Sequence, residues 1–310
     1  MTNLASARSV KSCIIGLLLL AAFMAGTSVQ ACSVFVATDG KLVFVGNNED
    51  YIVQDARITF TPGVDGKYGR LVFSFDDDNP PLPPHFPQGG MNTAGLFYDA
   101  TATPYVDAVF ASDLPIFPLD KVLDKMLAEC ATVAEALTLL SRYTLPGVEQ
   151  GQLVLADRTG DAAIFGVGKD HRPQITRKQA NFMVVTNFNV TQPELGNYPC
   201  YRHALATELL QKNGAPTIEN FRGILSLVHV EGLASTIYSN IYDLTNGEMQ
   251  LYYFHNFESC VKINLQEELK RGSHSMTISS LFPHKPFSII VNKELQAYFT
   301  KLQRAVAEKK

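Results

Sequence analysis

Most of the chain is patterned as strands. Cys32 to Thr38 and Leu42 to Gly46 are apolar runs rich in Val and Phe, split by Asp39-Gly40. That pattern predicts a hairpin closed by a tight turn. Cys32 then begins a strand, expected at the edge of a sheet. Ile58 to Phe60 and Arg70 to Phe75 continue in the same style. Asp76 to Gly90, with its runs of Asp and Pro, interrupts the pattern and reads as a long loop. The aspartates there recur without the spacing of metal ligands, so the loop is taken as solvated. Met91 to Pro104 begins as a turn and becomes a strand.

Helical periodicity takes over in two clusters. Pro118 to Glu129 and Thr132 to Arg142 form the first, with Thr132 and Glu135 placed as a capping box. Pro199 to Lys212 and Ile218 to Val228 form the second, with Leu205, Leu209 and Leu210 on one side of the earlier helix. Strands lie between and after them. Gln152 to Asp157 and Asp161 to Val167 make a hairpin, and Phe182 to Thr186 a buried strand. Thr236 to Leu244 and Glu248 to His255 pair across Asn246-Gly247, the strongest turn signal in the chain. Gln266 to Arg271 is a short helix and Lys293 to Ala307 a surface helix. Two packed sheets with helices outside satisfy this order.

The first 31 residues follow another logic. Arg8 and Lys11 precede an apolar run from Cys13 to Gly26, and Thr27 to Ala31 is a short polar end with Val29 and Ala31 where a signal peptidase reads. The run is shorter than the roughly 18 residues that cross a bilayer. The expectation is an export signal cut between Ala31 and Cys32, a periplasmic or secreted product, and one domain over residues 32–310. A lipoprotein signal is the rival, because it also ends on a cysteine, but Gln30 fits it poorly. Lipidation would leave Cys32 with neither free thiol nor free amine, and the chain would then be a lipid-anchored binding protein without catalysis.

The net charge of −4 gives no reason to expect nucleic acid or an anionic membrane as partner. The seven histidines show no metal spacing. No metal and no cofactor are expected. Cys130, Cys200 and Cys260 allow at most one internal disulfide, whose pair sequence does not choose, and are read as buried small apolar residues.

Cys32 gives the N-terminus its meaning. At the head of a mature chain it carries a thiol and a free α-amine. The amine titrates near pH 7.7–8.0 and is able to take the thiol proton without a histidine.

Further blocks follow in order: Gly46-Asn47-Asn48-Glu49-Asp50-Tyr51, Gly90-Met91-Asn92-Thr93-Ala94-Gly95-Leu96, Val185-Thr186-Asn187, Cys200-Tyr201-Arg202 and Ile237 to Leu244. With Cys32-Ser33 at a cut site, the set resembles the linear amide C–N hydrolases of the N-terminal-nucleophile superfamily. That group includes choloylglycine hydrolases, penicillin V acylases and acyl-CoA:6-aminopenicillanic acid acyltransferases. The resemblance implies an α+β fold, an αββα four-layer sandwich of two antiparallel sheets flanked by helices.

It also implies roles. Cys32 would attack the amide carbonyl and its amine would relay the proton. Asp50 would orient that amine. Asn187 would point its amide into an oxyanion hole. Arg202 would sit against the nucleophile and lower the thiol pKa. Many choloylglycine hydrolases have Arg at the position of Asn47, so Asn47 tilts the reading toward the acyltransferase branch and away from bile salts. Near Ala102, where bile salt hydrolases carry Asn, a backbone N–H is expected to serve instead.

Phe73, Phe75, Phe86, Phe97, Tyr98 and Phe188 flank the site in that fold. Asn47, Phe97, Tyr98 and Phe188 are the expected substrate contacts, the aromatics lining an apolar acyl pocket or, equally well, packing as core. The expected activity is hydrolysis of a linear, non-peptide amide through an acyl-thioester on Cys32. The alternative is transfer of the acyl group to an amine. The expected partner is a small-molecule N-acyl amide, and homo-oligomerisation is left open.

Overall fold

The computed structural model describes residues 32–52, 55–75, 85–232 and 234–283. The expected export segment, most of the Asp/Pro-rich stretch and the Lys293 to Ala307 helix lie outside the described residues.

Two antiparallel sheets face one another. The first begins with β1 (Ser33–Thr38) and β2 (Val43–Tyr51), the predicted hairpin. Asp39 closes its turn by accepting the N–H groups of Lys41 and Leu42. The second sheet takes the next strands, β3 (Ala56–Thr61), β4 (Arg70–Phe75), β5 (Pro87–Asn92) and β6 (Phe97–Ala102), and then β7 (Gly151–Ala156), β8 (Ala162–Val167) and β9 (Pro173–Arg177). The chain returns to the first sheet with β10 (Phe182–Val185), β11 (Ser235–Asp243), β12 (Glu248–Tyr253) and β13 (Asn256–Asn264). β14 (His274–Thr277) completes the second.

The six-stranded order is β10-β1-β2-β11-β12-β13 and the eight-stranded order is β14-β3-β4-β5-β6-β7-β8-β9. Cys32 therefore does not open an edge strand as expected. β10 pairs outside β1 and takes the edge. Another correction concerns Pro87 to Gly90, which belong to β5 rather than to a loop. Two of these residues are glycines, and strand propensity missed them.

Helices cover the outer faces. α1 (Leu119–Glu129) and α2 (Val133–Leu140) pack on the eight-stranded sheet, α3 (Tyr201–Lys212) and α4 (Ile218–Val228) on the six-stranded one. The capping box of Thr132 and Glu135 is present. A short α5 (Leu265–Leu269) follows β13. The result is the expected αββα sandwich.

Three apolar clusters fill it. One lies between the sheets, from Val34, Val36, Val43 and Val45 to Phe73, Phe97 and Tyr242. One lies under α1 and α2, and one under α3 and α4. The two faces of each strand feed different clusters, so side-chain alternation decides which layer a residue joins.

Candidate active site

The apolar pattern of β2 changes after Gly46. Asn47, Asn48, Glu49 and Asp50 are four consecutive polar residues, and every one is buried. Burying such groups without partners costs several kcal/mol, so their contacts define the site. Alternation sends them two ways. Asn47 and Glu49 continue the face of Val43 and Val45, between the sheets. Asn48 and Asp50 turn to the helices, where the Asn48 amide reaches the Leu225 carbonyl of α4 at 3.0 Å.

Cys32, just before β1, touches both sets. Its sulfur lies 3.4 Å from Glu49 Oε1 and 3.9 Å from the Asp50 carbonyl. Arg202 on α3 holds the main chain. Its Nη1 donates to the Cys32 carbonyl at 2.8 Å and to Ser33 Oγ at 2.7 Å, and its Nη2 to Asn187 Oδ1 at 3.1 Å. The same Nη1 stands 3.6 Å from Asp50 Oδ2. Asp50 Oδ1 accepts the Thr236 hydroxyl, whereas Asp50 Oδ2 makes no hydrogen bond although it is buried.

Asn187 is fixed by its neighbours. Its Nδ2 donates to the Ala102 carbonyl at 3.1 Å, which brings together the two positions expected to flank an oxyanion hole. Asn197 donates to the Asn187 carbonyl at 2.8 Å. The Gln152 amide reaches Thr186 O at 3.1 Å and Phe188 O at 2.9 Å, straddling Asn187.

Across the gap between the sheets, Asn47 Nδ2 donates to Asp99 Oδ2 at 2.9 Å and faces Glu49 Oε2 at 3.5 Å. A Cβ on Gly89 would collide with the Asp99 carboxyl, so that carboxyl occupies room only glycine leaves.

Charge is dear in this setting. Burial pushes the Cys32 thiol well above its ordinary value, and the Glu49 and Asp50 carboxylates add to the rise. Burial raises Glu49 to about 7, against hydrogen bonds from Cys32 and Asn47. Asp50 is also raised by burial, with the Thr236 hydrogen bond and Arg202 pulling it back. Asp99 rises through burial and the nearby Glu49. A thiol so placed keeps its proton at neutral pH, and nucleophilic use of it needs a base at bonding distance.

The structure brings Cys32, Asp50, Asn187 and Arg202 into one hydrogen-bonded group. Arg202 grips the Cys32 carbonyl from the helix side, while the sulfur lies against Glu49 between the sheets.

The expected substrate contacts are dispersed. Phe97 packs on Tyr242 in the inter-sheet core, with ring centres 4.9 Å apart. Tyr98, one residue on, faces the other way and is buried in the cluster beneath α1, so neighbours on one strand do not line one pocket. Phe73 and Phe75 stay in the inter-sheet core, and Phe86 is half-buried. Phe188 stands edge-on to Tyr198 at 4.9 Å and to His203 at 5.1 Å, beside Asn187. Asn47 is bound to Asp99 rather than open.

Sequence reasoning missed Glu49, Asp99, Thr236 and Gln152. Glu49 was within reach of it, because two-residue alternation from Val43 and Val45 puts Glu49 on the face of Cys32. The other three depend on pairing between distant strands. Among the described residues the four cysteines are free thiols, and only Cys32 and Cys130 are buried, since Cys200 is half-buried and Cys260 sits on the exposed face of β13.

No family model matches the chain, and no curated protein matches it in sequence. Solved structures do. A variant of conjugated bile acid hydrolase from Clostridium perfringens superposes with a TM-score of 0.62 at 17% identity, covering 79% of this chain and 96% of that one. Penicillin V acylase from Agrobacterium tumefaciens gives 0.55 at 17% identity, covering 72% of this chain and 82% of its own. A second mutant of the Clostridium perfringens enzyme gives 0.58 at 15% identity, covering 82% and 97%. These likenesses match the sandwich with the N-terminal-nucleophile hydrolase fold.

Proposed function

We propose that this protein is an amidase of the N-terminal-nucleophile type, trimmed after Ala31 so that Cys32 leads the mature chain. One observation carries the reading. Around Cys32 the structure gathers a carbonyl held by Arg202, a sulfur free of disulfide bonding, and a buried Asp50 oxygen with no hydrogen bond. A free α-amine on Cys32 would supply a donor to that oxygen and a base to that sulfur. The fold shared with a bile acid hydrolase and a penicillin V acylase supports a linear N-acyl amide as the substrate class.

The chemistry follows from the placement. The sulfur adds to the amide carbonyl and its proton passes to the α-amine. The resulting ammonium protonates the leaving nitrogen as the C–N bond breaks, which leaves an acyl-thioester. Asp50 steadies the ammonium form. Water then attacks the thioester and gives its proton to the amine. That proton returns to sulfur as the carboxylic acid departs. Asn187, whose chain neighbours are pinned by Gln152, spends one amide hydrogen on the Ala102 carbonyl and would offer the other to the developing oxyanion. Arg202 fixes the main chain from which the thiol and amine both spring.

Export places cleavage in the periplasm or outside the cell. N-terminal sequencing and intact mass of the purified protein test the reading. A chain that starts at an unmodified Cys32 and hydrolyses N-acyl amides supports it. A lipid adduct on Cys32, or a Cys32→Ser protein with undiminished turnover, overturns it.

A further inference from the structure

The catalytic reading leaves Glu49 without a task, although its carboxyl is within hydrogen-bond reach of the sulfur. Glu49 is buried between the sheets with one carboxyl oxygen 3.4 Å from Cys32 Sγ and the other 3.5 Å from Asn47 Nδ2. The same nitrogen donates to Asp99 at 2.9 Å. A thiol, a carboxyl, an amide and a second carboxyl thus form one chain that crosses from one sheet to the other. The amide has two hydrogens and offers one to each carboxyl. Its own oxygen has no hydrogen-bond partner.

We propose that Glu49 is a positioning residue for the nucleophile, holding the Cys32 thiol from the inter-sheet side and permitting thiolate formation only while the Glu49 carboxyl keeps its proton.

The electrostatics of the cluster give the direction. The groups facing Glu49 are Cys32 ahead of β1, Asn47 on its own strand, Asp99 from β6, and the phenols of Tyr238 and Tyr242 from β11. Asp50 lies next in sequence but turns to Arg202 on the helix side. Every one of the inter-sheet neighbours is neutral or acidic. A negative charge on Glu49 therefore meets no cationic side chain among these neighbours and opposes a second one on sulfur 3.4 Å away, while the α-amine proposed on Cys32 is common to wild type and variants and cancels in their ratio. A protonated Glu49 removes that opposition and offers an O–H to the thiolate. The groups that bury Glu49 also hold its proton to about pH 7, so the gate closes across the neutral range.

This inference rests on the proposed role of Cys32, and its test needs neither substrate nor a free amine. The rate of Cys32 alkylation by iodoacetamide is followed by peptide mass spectrometry between pH 5.5 and 8.5 in wild type and Glu49→Gln. Gln mimics the protonated acid and keeps its shape. At pH 5.5 the two rates should agree within about twofold, and by pH 8.5 the variant should react about tenfold faster, the effect of one unit in thiol pKa. In Asn47→Ala the carboxyl loses a donor that favours its charged form, so Glu49 stays protonated to higher pH. That variant should outpace wild type near pH 7–8 and match it at 5.5, which keeps the test alive if Glu49→Gln does not fold. A variant-to-wild-type ratio that does not change with pH overturns the proposal and leaves Glu49 as packing. A mature chain that begins elsewhere than Cys32 overturns the amidase reading but does not alter this ratio.

Discussion

Two buried asparagines, Asn92 and Asn47, sit on strands of facing sheets and have opposite fates. Asn92 ends β5 and satisfies every polar atom it owns. Its Nδ2 donates to the Leu127 and Cys130 carbonyls, each at 2.7 Å, and its Oδ1 accepts the Ala94 and Leu96 N–H groups at 3.1 and 3.0 Å. It ties the end of α1, whose last carbonyls lack helical partners, to the turn before β6. Gly95 completes that turn at φ +85°, where a Cβ would stand 2.6 Å from the Leu244 carbonyl. Asn47 serves two carboxyls with one nitrogen and leaves its oxygen bare. Around it Asp50 Oδ2 and Asn240 Oδ1 are also unsatisfied. A polar group kept for architecture is saturated. The Asn47 oxygen is left short of partners beside the proposed nucleophile, where unsatisfied buried polar groups are expected to serve chemistry.

The largest effect expected from that contrast is at Cys32, the proposed nucleophile. Cys32→Ala should fold, keep a melting temperature near that of wild type, and lose turnover by about a thousandfold or more. Product release measured at enzyme concentrations high enough to see one part in a thousand checks this. Next comes Asn187, the amide proposed for the oxyanion hole. Asn187→Ala should cost about 2.7–4 kcal/mol of barrier, mostly in kcat, with a stability loss of about 1–3 kcal/mol for the Ala102 carbonyl and Arg202 nitrogen it leaves unpaired. Steady-state kinetics beside a thermal melt separates the two.

Asn92→Ala should cost stability alone. It strands two carbonyls and two N–H groups, and should destabilise the fold by about 2–4 kcal/mol while kcat/KM at low temperature stays put. If Asn92→Ala lost activity at full stability, or Asn187→Ala unfolded, the division between clamp and site would fail.

Glu49 sharpens the comparison through pH. Its carboxyl titrates near 7 in the fold against an ordinary 4.5. Between those values the folded state holds a proton that the unfolded chain has released, so stability falls as pH rises from about 4.5 to 7 and levels off above. Glu49→Gln lacks that loss. Its stability relative to wild type should therefore grow across the window by on the order of 2–3 kcal/mol, read from denaturant midpoints at pH 5 and pH 8. A constant difference across the window would mean that the carboxyl titrates at an ordinary value.

Much of this was legible in the chain. The Asp39-Gly40 and Asn246-Gly247 turns, the Thr132–Glu135 cap and the alternating Val and Phe residues named their elements because each signal is local. β9, β13 and β14 escaped because they are held by neighbours on the sheet rather than by an apolar pattern. The half-exposed residues of Asn256–Asn264 read as neither strand nor helix. The site divided in the same way. Cys32, Asp50, Asn187 and Arg202 stood in recognisable blocks and meet in space. Asp99, Thr236 and Gln152 gain their significance only from pairing across strands far apart in sequence. Tyr98 failed as a pocket residue for a simpler reason, since a strand cannot show one face with two successive side chains.

The claim on which the rest depends is that the sulfur of Cys32, at the head of the mature chain, carries the acyl group during turnover. The direct measurement is intact and peptide-level mass of the purified enzyme quenched in acid during turnover of an N-acyl amide. The account predicts a mass gain equal to the acyl group on a peptide that begins with Cys32, lost on treatment with hydroxylamine. An acyl group found on another residue, or a Cys32 that is internal or blocked in active enzyme, would contradict it.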